Sequence, residues 1–269
     1  MDPVYAIPGA VALVEWILAL VLYAIGWHRT RYELCRIGDG LFLAGFITAL
    51  ASLGWIAWGT PDHLALTRSG LASALAVSAV GVYAILARGR AERLSAAAML
   101  GFAIPLQSYA VGRLWWGLEA MPPGAFLPQW MAVVVVIAMV GYGGLAVSAM
   151  MILLSFGLSR LKDELSLDQS TAAAGLFALE WGSVQVALVA LSAALVWGLL
   201  RLWWAAGRIM TGDSVWALIT WLLLAAGAYG LMQGAAPRRP VRALLVLACA
   251  AGMVAVLAMA TPVTGAGLL

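Results

Sequence analysis

Charge is what this sequence has least of. Asp, Glu, Lys and Arg together make up 10% of its 269 residues, while 64% are hydrophobic and mean hydropathy is +0.99. A water-soluble domain carries roughly a quarter of its residues charged, so that class is excluded. Only one of the fifteen basic residues is a lysine, Lys162. The rest are arginines in short polar segments, with no basic stripe of the kind that holds nucleic acid, and no nucleic-acid partner is expected. Cysteine is equally sparse. Cys35 and Cys249 stand far apart with no C-x-x-C spacing, which argues against a cysteine zinc site or a redox pair. Histidine occurs twice, at His28 and His63. There is no Walker sequence, glycine-rich nucleotide fingerprint or Ser-His-Asp constellation. Nucleotide and hydrolytic chemistry therefore have nothing to rest on, and no catalytic residue or metal site is identified.

What the chain does have is uncharged runs long enough to cross a bilayer. Eight are read, at roughly 5–27, 41–58, 71–87, 96–116, 131–157, 175–200, 215–234 and 241–260. The fold expected is all-α, a polytopic membrane helix bundle. The first run lacks a basic n-region, carries Glu15 inside it and is too long for a signal-peptide core, so it reads as a retained helix. The fourth is interrupted by Pro105 and Gln107. No linker or solenoid-type repeat divides the chain. It reads as one integral membrane domain, with helices 1–4 in residues 1–119 and helices 5–8 in residues 120–269.

Basic residues are distributed unevenly between the connections. Eleven (Arg29, Arg31, Arg36, Arg88, Arg90, Arg93, Arg160, Lys162, Arg238, Arg239 and Arg242) fall in or beside the odd-numbered connections, against four (Arg68, Arg113, Arg201 and Arg208) beside the even-numbered ones. The positive-inside rule then puts the first set in the cytoplasm and both termini outside.

Two acids interrupt the apolar runs, Glu15 and Glu180, each placed about mid-helix. A charge there costs several kcal/mol unless paired or protonated. Each reads either as a proton or cation site, as the partner of an inward-facing arginine, as a protonated carboxyl hydrogen-bonded to a neighbouring helix, or as a carboxyl close enough to the interface to reach water. His28 opens a basic loop and reads as interfacial. His63 lies in an outward loop, where it is either solvated or a possible haem ligand.

The densest feature is residues 197–221, WGLLRLWWAAGRIMTGDSVWALITW, which hold five of the thirteen tryptophans around the polar turn Thr211-Gly212-Asp213-Ser214. Tryptophans at the end of membrane helices form an amphipathic surface, suited to the bilayer boundary or to a flat hydrophobic ligand.

Trp216-Ala217-Leu218-Ile219-Thr220-Trp221 and the LLLAAGAYG that follows resemble the cytochrome c assembly family of haem-handling membrane proteins. Three further segments are similar to that family: Pro128-Gln129-Trp130 with the Gly-Tyr-Gly helix after it, residues 165–179 (LSLDQSTAAAGLFAL), and the tail at 240–258. The likeness covers about residues 120–265. It implies an outward aromatic platform for haem, with Trp130, Trp203, Trp204, Asp213, Trp216 and Trp221 as its residues and haem as cofactor. It also implies a bacterial inner (plasma) membrane or its equivalent, with lipid, other membrane subunits or a c-type cytochrome as partners. The chain departs from the pattern at the axial histidines: Val134 and Tyr229 occupy the matching positions, and none follows the last helix. Two functions are thus expected as alternatives. One is haem handling or presentation at the outer face. The other is a non-catalytic structural subunit of a larger membrane redox complex that no longer binds haem.

Overall fold

A computed structural model describes residues 6–28, 32–59, 67–87, 93–118, 129–160, 169–206, 212–233 and 239–259. Every element in them is a helix: α1 (Ile7–His28), α2 (Tyr32–Gly59), α3 (Arg68–Leu86), α4 (Arg93–Trp115), α5 (Gln129–Arg160), α6 (Gln169–Ala206), α7 (Gly212–Met232) and α8 (Arg239–Met259). All eight contain a stretch long and apolar enough to cross a membrane. Helices are the natural outcome, because in hydrocarbon each backbone N–H and C=O must be satisfied within its own segment. The expected count and class therefore hold.

Two helices are longer than their apolar runs suggest. α2 starts at Tyr32 rather than near 41, taking Glu33, Arg36 and Asp39 into its first turns. Asp39 accepts a 2.8 Å hydrogen bond from the Tyr23 hydroxyl of α1, and Gly38 lets the Tyr23 ring lie against the backbone. α6 runs for 38 residues, about 57 Å, instead of 175–200, and projects beyond the hydrocarbon at its ends. The segment Gln169–Ala174, which precedes the apolar run read from 175, is already helical.

Pro105 does not break α4. Proline is tolerated in membrane helices because neighbouring groups satisfy what its missing N–H leaves open. Gln107, two residues further, is buried and tied on both sides: Ser73 of α3 donates to its Oε1 at 2.9 Å, and its Nε2 donates to the Gly9 carbonyl of α1 at 3.4 Å. α4 ends at Gly117, whose φ of +62° is the left-handed conformation only glycine adopts freely. The Leu118 N–H there bonds back to the Arg113 carbonyl at 3.0 Å, closing the helix end.

Neighbour relations arrange the helices as two four-membered rings. In the first, α1 packs on α2, α2 on α3, α3 on α4, and α4 back on α1. The second repeats the order with α5, α6, α7 and α8. The rings join mainly through α3 against α5. Four consecutive residues of α5 make this possible. Gly141 and Gly144 face α6, meeting Leu191 and the Ser183 carbonyl; Gly143 faces α3; and Tyr142 between them lies against Gly252 of α8. A β-carbon on Gly143 would sit 2.7 Å from the Ser78 carbonyl carbon, so the α3 and α5 backbones touch directly. Close approach through small residues is how membrane helices gain packing when lipid supplies no hydrophobic drive.

Successive helices alternate in direction, as the contacts Gly141–Leu191 with Gly144–Ala187 and Gly227–Leu245 with Gly230–Val241 illustrate. At the arginine end lie the last turns of α1, α3, α5 and α7 and the first turns of α2, α4, α6 and α8. At the tryptophan end lie their opposite ends, including the last turns of α6, the first turns of α7 and both ends of the described chain.

Candidate functional site

The tryptophan-rich stretch is mostly helix rather than loop. Trp197, Trp203 and Trp204 all belong to α6, Asp213 lies in the first turn of α7, and residues 207–211 join the two helices. The helical period then sorts the tryptophans. Trp203 is 56% exposed and Trp216 40% exposed, on the last turns of α6 and the first turns of α7. Trp197, about half exposed, stands two turns before Trp203. These present apolar ring area outward at one end of the second ring.

Trp221 does the opposite. Five residues beyond Trp216, it lies well round the helix from it, and its indole Nε1 donates a 2.7 Å hydrogen bond to Ser192 Oγ on α6. Between them Thr220 is fully buried, donating to the Trp216 carbonyl at 2.8 Å and lying close to Gly252 of α8. The hexapeptide Trp216–Trp221 therefore presents one tryptophan outward and uses the other to tie α7 to α6. Trp221→Phe, which keeps the ring and removes the N–H, is expected to cost about 1–2 kcal/mol by leaving Ser192 without its donor. Thermal unfolding in detergent measures this, and Ser192→Ala in the same background should add little.

The remaining expected site residues are distributed unevenly. Trp130 is in the first turn of α5 and Trp204 near the end of α6, but their side chains, like that of Asp213, lie outside the described residues. His63 falls outside them altogether. Val134 is half-buried toward α6, where a β-carbon on Gly198 would stand 3.7 Å from its Cγ1. Tyr229 is 65% exposed, thirteen residues beyond Trp216, hence about 20 Å along α7 toward the arginine end. Val134 and Tyr229 are thus far apart, one half-buried between two helices and one exposed. Among the described residues no group of three His, Cys, Asp or Glu side chains could hold a metal ion.

Sequence reasoning passed over Trp55, Trp115 and Trp116. They are also exposed and also at the tryptophan end, in the last turns of α2, at the last residue of α4 and just past it. Their place at the ends of apolar runs was the available signal.

It also left Arg242 among the loop residues. Arg242 is in the first turn of α8, and its Nη2 donates to Glu180 Oε2 at 3.0 Å. Of the readings open for Glu180, the partner of an inward-facing arginine is the one found. Nor is Glu180 at mid-helix: it lies six residues into the Ala174–Leu200 span, toward the arginine end. The guanidinium also stands over the Phe156 ring of α5, 5.9 Å from its centroid. Since α6 and α8 occupy opposite corners of the second ring, the pair crosses the diagonal of that ring. The signal for it was a basic residue set two positions inside an apolar run.

Glu15 is half-buried on α1, with Oε2 buried and no hydrogen-bond partner among the described residues. It lies at the border between the buried Ala12 and Ala19 and the exposed Val11 and Leu18.

No family model, curated protein or solved structure matches this chain.

Proposed function

We propose that this chain is a cytochrome c assembly-type membrane protein that handles haem on the aromatic surface at its tryptophan end. In this reading the surface faces outward from a bacterial inner membrane, and the arginine end lies in the cytoplasm, as the basic-residue asymmetry requires. The observation that carries the proposal is the exposure of both Trp203 and Trp216, on consecutive helix ends within the segment that resembles that family. Exposed indole faces suit a flat macrocycle, whose burial against two rings is favourable for area alone. Iron ligation fits less well. The described side chains at that end include no histidine or thiolate, and His63 lies outside the described residues; in this reading an axial ligand comes from His63 or from a partner such as the receiving c-type cytochrome. When bound, haem supplies the electrophilic vinyl groups that receiving thiols attack; the residues of this chain hold and orient the macrocycle.

Protein purified from a haem-replete membrane is expected to show a Soret band, reduced several-fold by Trp203→Ala with Trp216→Ala. A haem-free preparation, together with normal cytochrome c maturation in a deletion strain, would exclude the proposal.

One observation favours a second reading. Val134 fills the α5–α6 contact with hydrocarbon at Gly198, and Tyr229 looks away from the platform, as in a scaffold relieved of ligation. A structural subunit of a membrane redox complex would migrate after gentle solubilisation in a stoichiometric assembly with cofactor-bearing chains. Migration as a free monomer would sink that alternative.

A further inference from the structure

Three buried polar atoms in the second ring have no hydrogen-bond partner among the described residues: Glu180 Oε1, Arg242 Nε and Ser148 Oγ. Glu180 is 1% exposed and Ser148 fully buried. The ion pair uses one oxygen and one nitrogen, Glu180 Oε2 and Arg242 Nη2, although the guanidinium fork and the carboxylate could meet at two points. A bidentate pair would leave neither Oε1 nor Nε open.

The helix register brings Ser148 to the same place. α5 and α6 run antiparallel, with Gly141 against Leu191 and Gly144 against Ser183 and Ala187. One turn beyond Gly144 on the same face, Ser148 arrives at the level of Glu180 and Ser183. The Ser183 hydroxyl is already committed, donating to the Glu180 carbonyl at 2.8 Å. α5 thus contributes a hydroxyl, α6 a carboxylate and α8 a guanidinium to one interior node.

A node of this composition specifies its own ligand. Arg242 Nε offers a donor, Glu180 Oε1 demands one, and Ser148 Oγ accepts or donates. An anion is repelled by the carboxylate, and a cation by the guanidinium. We infer that the Ser148–Glu180–Arg242 node binds a water molecule, which accepts from Arg242 Nε and donates to Glu180 Oε1 and to Ser148 Oγ. Three hydrogen bonds to otherwise unsatisfied groups are what buried waters in protein interiors ordinarily make. Arg242, in the first turn of α8 and 18% exposed, is the one member of the node that reaches the surface. The node is therefore a hydrated carboxylate inside the second ring, reached past Arg242.

Ser148→Ala tests the sign of the effect. If the hydroxyl were simply orphaned in a dry site, deleting it would leave the protein unchanged or make it more stable. If it holds a bridging water, deletion strands that water's proton, and unfolding in mixed micelles is expected to speed up about tenfold. An unfolding rate equal to or slower than that of the unsubstituted protein overturns the inference. The second measurement is an experimental structure at a resolution that shows ordered water. Density within hydrogen-bonding distance of both Glu180 Oε1 and Arg242 Nε is expected, and a dry, bidentate pair refutes it whatever Ser148→Ala does.

Discussion

Arg242→Met is expected to destabilise the folded bundle by about 3–5 kcal/mol, and combining it with Glu180→Leu to recover most of that loss. Removing the guanidinium leaves the Glu180 carboxyl, 1% exposed, without the ion pair on its Oε2. The carboxylate must then take up a proton or draw further water into the ring, and either costs folded-state free energy. Arg242 also lies over Phe156, so the single variant loses a cation–π contact as well. The double variant removes both charges and fills the diagonal with hydrocarbon of similar length. Buried ion pairs replaced in this way are often as stable as the original or more so. Unfolding titrations in mixed micelles, compared across the four members of the cycle, give the coupling directly. An Arg242→Met cost below about 1 kcal/mol, the level of an exposed pair, would mean that bulk solvent screens the charges and the pair does not hold the ring together.

Gly143→Val is expected to have an effect of comparable size by a different route, preventing the two rings from closing against one another. The β-carbon alone would lie 2.7 Å from the Ser78 carbonyl carbon and 2.8 Å from the Ala79 nitrogen, both backbone atoms of α3 that cannot rotate aside. Overpacking of side chains costs about 1–3 kcal/mol, and backbone-on-backbone contact belongs at or beyond the upper end of that range. Gly101 and Gly157 are the controls. Nothing lies within 4 Å of a β-carbon built on either, so alanine there is expected to be neutral or to gain up to about 1 kcal/mol of helix propensity. Monodisperse yield after size exclusion and thermal midpoint in detergent separate the cases. A folded, wild-type-like Gly143→Val protein would show that α3 and α5 do not meet as closely as described.

How far each of these features could be read from the chain depends on how local its cause is. The eight apolar runs are local: whether a segment partitions into hydrocarbon depends on its own side chains and backbone. Lengths were legible only where composition changes with the membrane boundary. α2 and α6 overran their apolar cores because helix formation continues through polar residues that find partners, as Asp39 does with Tyr23. Pro105 and Gln107 looked like an interruption of α4, yet Gln107 is held by α3 and α1, partners a single segment cannot reveal.

The tryptophans show the same division. Their clustering at 197–221 is plain in the sequence, and so is the likeness carried by residues 216–221. That Trp216 faces outward while Trp221 turns inward to Ser192 is not. In a soluble helix, polar residues mark the outward face. Here lipid and protein interior are equally apolar, so the pattern of hydrophobic residues does not distinguish a face that meets lipid from one that meets another helix.

By itself, the sequence determined that this protein is an all-helical membrane bundle of eight spans and that its arginines favour one end. Hydropathy and charge act segment by segment, so both follow without knowing which helices touch. Only the tertiary structure decided that the spans close into two joined rings and that Arg242 crosses one of them to reach Glu180. It also decided which tryptophans remain available at the surface. Those outcomes depend on the rotation and neighbours of each helix, and among uniformly apolar helices these are settled by small residues and a few buried polar contacts between segments distant in the chain.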